Sequence, residues 1–274
     1  KLGVIYRATP QWSFFGNYAS GFRAPNAGQV NGFFQNLAGG YRTVPNPNLK
    51  PEKSRNVEFG VRGRLDQLSF DTAVFYGRFK DLIQDGAIVS GAFGNPGNPA
   101  VIQSINIDNA TISGFEIKGD MKWGKVGDGQ LSTPFSYGYT RGTVKNTGKP
   151  LDTIDPAKLS VGVKYETPSW DVRLDANHHS AKKFDDISAQ TVAAAPPAVP
   201  VATTQFAVPS ATTLDLTGQW RFSKKLRLNA GLINLTNKKY WNWSDVRGVA
   251  ANSSFRDAYS QPGRYFNVSL VADF

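Results

Sequence analysis

The sequence predicts an all-β protein, a transmembrane antiparallel β-barrel. Three observations carry this: a sustained two-residue hydrophobic period, segments of ten to thirteen residues, and an alternation of short turns with long connections. From Trp12, one face holds Trp12, Phe14, Tyr18 and Phe22 while Ser13, Asn17, Ala19 and Gly21 take the other. Helical spacing at i, i+3, i+4 is absent from these segments. Alternation alone also fits a soluble sandwich, but soluble strands average ~5–6 residues, whereas a tilted membrane strand needs ~9–11.

Each strand follows from the same pattern. Val57, Phe59, Val61 and Leu65 alternate with Asn56, Glu58, Arg62 and Arg64; Leu159, Val161, Val163 and Tyr165 alternate with Lys158, Ser160, Lys164 and Glu166. Trp170, Val172, Leu174 and Ala176 oppose Asp171, Arg173, Asp175 and Asn177, and Leu214, Leu216, Trp220 and Phe222 oppose Thr213, Asp215, Thr217 and Arg221. Short turns fall at Ala8-Thr9-Pro10, Asp66-Gln67, Thr167-Pro168-Ser169 and Ser223-Lys224-Lys225, with the hairpin dipeptide Asp128-Gly129 in another. Long connections, read as structureless, lie at 23–54, 81–105, 143–156, 181–211 and 235–262.

About eleven strands result, at roughly 1–8, 11–22, 54–65, 68–80, 105–123, 132–143, 156–166, 170–180, 211–222, 226–235 and 262–274. Bacterial single-chain barrels have an even number, and open edges in lipid strand unpaired backbone groups. The expectation is that 1–274 is the C-terminal part of a barrel of roughly 22 strands, with its first strands and a plug upstream. Phe14, Phe59, Val61, Val161, Val163, Leu216 and Leu270 should face lipid; Asn56, Arg62, Lys164 and Thr217 should face the interior.

Composition narrows the function classes. The 274 residues include 18 Phe, 10 Tyr and 6 Trp but no Cys, which excludes thiolate metal sites and thiol nucleophiles. The net charge of +10 is dispersed through alternating strands, which disfavours nucleic acid as partner. Part of it falls on interior positions, Arg62, Arg64, Arg173, Arg221 and Arg227, where guanidinium groups would attract carboxylate ligands or pair with Glu58, Asp171 and Asp215.

Several short motifs then stand in order along the chain. They are Phe22-Arg23-Ala24-Pro25, Asn46-Pro47-Asn48-Leu49-Lys50-Pro51-Glu52, and Asn109-Ala110 with Gly114 and Glu116. Asn234-Leu235 with Tyr240 and Pro262-Gly263-Arg264 follow, before a closing amphipathic strand that ends in Phe274. This series resembles the FRAP, NPNL-KPE, N-A-x-x-x-G-x-E, N-L-x-x-x-x-Y and P-G-R segments of TonB-dependent outer-membrane receptors. The resemblance implies localisation in the cell outer membrane of a Gram-negative bacterium and a contact with the TonB complex through an N-terminal region. It further implies an own plug domain, a surround of outer-membrane lipid and lipopolysaccharide, and import of an iron-bearing ligand without a chemical step or intrinsic cofactor. The FRAP and NPNL pair is most emphasised in receptors for haem and haemoproteins, so the resemblance leans to haem, with a ferric siderophore as the alternative. A haemoprotein is then an implied partner.

In that branch a His or Tyr between the two motifs can ligate iron. Residues 26–45 contain no His, a departure from the commonest pattern, and Tyr41 is their only phenol. Tyrosinate is an accepted axial haem ligand, so Tyr41 is the candidate ligand; the plainer reading is a loop aromatic packed on Phe33 or Phe34. The adjacent His178 and His179 point to opposite faces and cannot readily chelate one ion. They lack any Ser-His-Asp or HExxH context, so a catalytic role is disfavoured. Tyr240, Trp241 and Trp243 read as an interfacial belt ahead of a ligand-stacking cluster, and residues 193–200, rich in Ala and Pro, as an extended outer loop.

Overall fold

A computed structural model describes the whole chain except residues 93, 94, 96, 108, 189, 190, 194–201 and 274. In chain order the first half holds β1 (Leu2–Arg7), β2 (Trp12–Arg23), α1 (Ala27–Asn31), β3 (Phe34–Asn36), β4 (Tyr41–Thr43), β5 (Glu52–Arg64), β6 (Leu68–Lys80), β7 (Leu82–Ser90) and β8 (Ala100–Ile107). There follow β9 (Ala110–Val126), β10 (Gly129–Val144), β11 (Lys158–Glu166), β12 (Trp170–His179), β13 (Thr191–Ala193), β14 (Ala202–Thr204), β15 (Ala211–Arg221), β16 (Leu226–Ile233), α2 (Trp243–Val246) and β17 (Tyr265–Ala272).

Eleven strands form one sheet in the order β1-β2-β5-β6-β9-β10-β11-β12-β15-β16-β17, every neighbouring pair antiparallel. It is a meander in which each strand pairs with the next that reaches the sheet. The eleven expected segments are these strands with boundaries moved by a few residues, the last starting at Tyr265 and not at 262. The fifth begins at Ala110, not at 105, because residues 105–107 pair with β7 in a separate sheet. The sixth reaches back to Gly129, since Gly127, at φ +58, lets the chain reverse directly after Val126. The terminal Phe274 lies outside the described residues, as do 194–200 of the Ala/Pro-rich loop.

The register fixes the two faces. Phe14 pairs with Val61, Phe59 with Val74 and Val74 with Phe115; Val163, Leu174 and Leu216 form a row, and Leu228 meets Leu270. These side chains stay open in the single-layered sheet: Phe59 is 54% exposed, Val163 53% and Leu270 64%. A soluble surface rarely carries so extended an apolar area, whereas lipid would cover it. The opposite face carries Arg62 against Asp71 and Lys164 against Arg173. Trp12, Phe70, Trp170 and Trp220 sit near the short turns, Tyr18, Phe22, Tyr76 and Tyr139 near the long connections. From Trp12 to Phe22, ten residues cover ~33 Å along the strand, about 23 Å across a bilayer at a ~45° tilt. That matches the ~25 Å apolar band between the aromatic girdles of membrane barrels.

The long connections are not structureless, contrary to the sequence reading. Those at 24–51 and 81–109 build a four-stranded sheet, β3-β4-β8-β7, in which β4 runs parallel to β8. Short segments separated by Gly and Pro give too little periodicity to reveal such a sheet. The connections before β11, after β12 and after β16 meet around Ile187, Val208, Trp243 and Val246, all at most 4% exposed. A single sheet between lipid and lumen has no core of its own, so this packed apolar cluster forms in the loops.

Candidate functional site

The FRAP and NPNL-KPE motifs meet at the long-connection end of β2 and β5. Arg23 and Glu52 are register partners, and the guanidinium grips the carboxylate with both arms, Nε to Oε2 at 2.6 Å. Glu52 also accepts the backbone N–H of Ile83 at 2.8 Å, tying β7 to the same point. Beyond Arg23 the chain enters α1 through a capping box. Asn26 accepts from the Gln29 N–H, and the Gln29 side chain accepts from the Asn26 N–H. The Gln29 amide donates to both oxygens of Asp85 at 3.0 Å, and Ser104 donates to Asp85 at 2.7 Å.

The second motif is anchored in the same way. Asn46 donates its side-chain amide to the Ser104 carbonyl at 2.9 Å and accepts from the Asn48 N–H. Lys50 and Asn106 exchange hydrogen bonds at 2.7 and 2.9 Å, and Leu49 is buried. The role of Asp85, Ser104 and Asn106 was invisible in the sequence, where Asp85 and Ser104 sit in a segment read as loop and Asn106 at the start of one read as a strand of the main sheet; the alternation of Ser104 and Asn106 with Ile105 and Ile107 was the available signal. Phe22, the first motif residue, is 78% exposed and points out at the girdle level.

Tyr41 opens β4, opposite Asn36 of β3 and beside Ala100 of β8. Its ring lies 5.9 Å from that of Phe34, the packing contact the sequence reading named as the plainer alternative. Around it Phe33, Phe34 and Leu37 are exposed.

The remaining motifs form a second junction. Asn234, 2% exposed and at φ +52, donates to the carbonyls of Lys238 and Pro262 while its own N–H donates to Asp215 at 2.8 Å. Asn237 accepts the N–H of Arg264. Trp243 is buried and donates its indole N–H to the Asp152 carbonyl, so it is a core residue of the loops and not part of an interfacial belt. Trp241 packs edge-on against Phe206, with Arg256 over both rings. Lys182, 6% exposed, donates to the Ile154 carbonyl at 2.8 Å and lies over the Trp243 ring. Burial holds its ammonium below the ordinary lysine range, and nearby Asp152, Asp186 and Asp155 oppose this. Burial likewise pushes the Tyr240 phenol up.

The interior arginines are paired, though not with all the partners expected. Arg62 and Arg64 both reach Asp71, Arg173 binds Asp175 at 2.6 Å, and Arg221 bridges Asp171 and Glu166. Glu58 instead accepts from the Asn17 amide, and Asp215 from the Asn177 amide and the Asn234 backbone N–H. His178 and His179 diverge as expected: His178 meets the Thr212 hydroxyl at 2.9 Å, and the His179 ring lies beside Tyr240.

Comparison with known proteins gives the following. A family model described as TonB dependent receptor-like, beta-barrel matches residues 1–235. The hemoglobin and hemoglobin-haptoglobin-binding protein A of Haemophilus influenzae is 29% identical over 241 residues, which are 85% of this chain and 22% of that protein. Transferrin-binding protein A of Neisseria meningitidis serogroup B is 28% identical over 304 residues, covering 100% of this chain and 32% of that protein. Among solved structures, the copper transporter OprC superposes with a TM-score of 0.74 at 20% identity, over 99% of this chain and 39% of that one. The ferric enterobactin receptor of Pseudomonas aeruginosa gives 0.70 at 23% identity, again over 99% and 39%. At these identities the structural likeness is one of fold, and the chain spans well under half the length of each protein.

Proposed function

Since the chain belongs to the TonB-dependent receptor β-barrel family, we propose that it is the C-terminal part of an outer-membrane receptor that imports an iron-bearing ligand, haem foremost. The observation that carries the ligand class is that the curated relatives above are named for binding haemoglobin, haemoglobin–haptoglobin and transferrin. In this reading the upstream part of the receptor supplies the first strands, a plug inside the lumen and the TonB contact. The girdled apolar face meets outer-membrane lipid and lipopolysaccharide. The loop sheet β3-β4-β8-β7, with exposed Phe33, Phe34 and Leu37, faces outward, where a haemoprotein would dock.

Within that sheet Tyr41 is the proposed iron ligand, and Arg23, Glu52, Asn46 and Leu49 hold the frame that presents it. Import needs no bond-making step: the receptor binds, is opened by TonB and releases. Haemin added to the complete receptor is expected to give a Soret band that changes on Tyr41→Phe, which removes the phenol and keeps the ring. An unchanged band and affinity would eliminate Tyr41 as ligand. A wild type that binds no haemin would favour a ferric siderophore, whose anionic groups suit the arginine-bearing lumen wall.

A further inference from the structure

The lipid-facing side of the sheet carries a charged patch that neither the aromatic girdle nor the lumen explains. Lys53 and Arg55 stand an even number of residues from Phe59 on β5, and Arg78 and Lys80 stand likewise from Val74 on β6, so all four share the face of that apolar pair. They occupy the long-connection ends of their strands and are exposed. Register sets Arg55 directly against Arg78 and Lys53 directly against Lys80. The four cations thus spring from a patch of backbone roughly 5 by 7 Å, the spacing of one strand pair and of two residues.

Such an arrangement is unfavourable by itself. Like charges directly opposite on neighbouring strands destabilise a sheet, and here two such pairs lie one above the other. Their same-face register neighbours are Phe22, Ser20 and Thr111, and none is acidic. Glu52 lies on the other face in the grip of Arg23. Among the described residues none of the four forms an ion pair, even with Asp81 in the turn after β6. Arg78 reaches only the Tyr76 hydroxyl at 3.4 Å, its guanidinium 5.6 Å from that ring. The patch is also local: the long-connection ends of β11, β12 and β15 carry Leu159, His178 and Thr212 on the same face, so these charges are not part of a general basic rim.

Position and charge together name the anion that offsets them. The four stand just beyond Tyr76, a ring of the girdle, and so at the level of lipid headgroups; the long connections mark that leaflet as the outer one. Guanidinium forks and ammonium groups at a lipid boundary suit headgroup phosphates. A phospholipid brings one phosphate and leaves most of the patch unmatched. A bis-phosphorylated glycolipid brings enough negative charge to face both pairs, and its acyl chains would run down over Val57, Phe59 and Val74, all exposed.

We propose that Lys53, Arg55, Arg78 and Lys80 form a discrete site on the outside of the barrel for the phosphates of one such glycolipid, of the lipid A type. This rests on the outer-membrane reading with the long connections outward, and it is independent of the transported ligand. A general lipid surround needs only an apolar face; this site holds one molecule against one sector, β5 and β6, beside the junction that Arg23 and Glu52 close.

The test uses the complete receptor, folded in dodecyl maltoside and titrated with bis-phosphorylated lipid A, with bound lipid counted by native mass spectrometry. Wild type should retain one molecule. A variant carrying Lys53→Gln, Arg55→Gln, Arg78→Gln and Lys80→Gln should bind it about tenfold more weakly or worse. Lipid A stripped of its phosphates should bind both proteins equally, and Lys224→Gln with Lys225→Gln, at a short turn on the opposite rim, should leave binding unchanged. In the neutral detergent alone the fourfold variant should melt higher than wild type, because the like-charge repulsion is gone; a merely structural role predicts a fall. Equal affinity in variant and wild type, no lipid A retained by wild type, or a lower melting temperature of the variant would overturn the site. Displacement of lipid A by an equal concentration of phosphatidylglycerol would overturn the choice of glycolipid over phospholipid. Haemin titration of the same preparations tests the receptor reading separately, and it should give equal affinity in both proteins whatever the lipid does.

Discussion

Arg23 and Glu52 stand 29 residues apart in the chain and close the first outer connection like a clasp. The carboxylate side chain is 15% exposed and the guanidinium 52%, so solvent screens the pair in part. Truncating either partner is expected to loosen residues 24–51 by about 1 kcal/mol, roughly a fivefold rise in local opening. Arg23→Lys should recover little, because an ammonium cannot span both oxygens. Hydrogen exchange over 24–51 reads this, and equal protection in Arg23→Ala and wild type would show that the clasp is ornamental.

Lys182 offers a test through pH. Burial lowers its pKa in the folded state from the ordinary 10.5, so between the two values the open form binds more protons than the closed one. Closure of the surrounding loops should therefore strengthen as pH rises toward 10.5, and the cost of burying the charge is fully present below the folded value. Lys182→Met should abolish this rise. Protease resistance of 180–188 that climbs with pH identically in both proteins would remove Lys182 as its cause.

At the scale of elements, the loops divide into two bodies with different glue. The β3-β4-β8-β7 sheet is held by side-chain to backbone hydrogen bonds from Asn46 and Asn106 and by the Gln29 amide on the Asp85 carboxylate, while the later connections close on the apolar contact of Trp243, Val246, Ile187 and Val208. Trp243→Ala removes the largest member and its bond to Asp152, at a cost of about 3–5 kcal/mol. Because none of these residues belongs to the eleven-stranded sheet, the loss should appear as faster exchange in 145–157 and 234–264 with the barrel's melting temperature unmoved. A drop in the barrel's own melting point would mean that the loops and the sheet unfold together.

Across the whole molecule, the parity of the strands sets which substitutions matter. An arginine replacing lipid-facing Val161 is expected to cost about 2–4 kcal/mol near the bilayer midplane, whereas one replacing Thr217 on the lumen side should be tolerated. Folding titrations of the complete receptor into vesicles measure the difference, and equal costs would defeat the assignment of faces. The interior charges belong to the same scale. Arg62, Arg173 and Arg221 are each paired within the wall, so a ligand's carboxylates would compete with Asp71, Asp175 and Asp171 for them.

The eleven strands, their faces and the short turns were determined by the sequence alone, since a two-residue period is local: each residue's side is fixed by its neighbours and by what solvent that side must meet. The motifs around Arg23, Asn46 and Asn234 were equally legible as marks of the family. What those residues do was decided only by the tertiary structure. The clasp of Arg23 on Glu52, the parallel pairing of β4 with β8 and the contact of His179 with Tyr240 each join segments far apart in the chain. No periodicity encodes such a meeting. It depends on where two strand ends and a returning loop come to lie once the sheet has set its register.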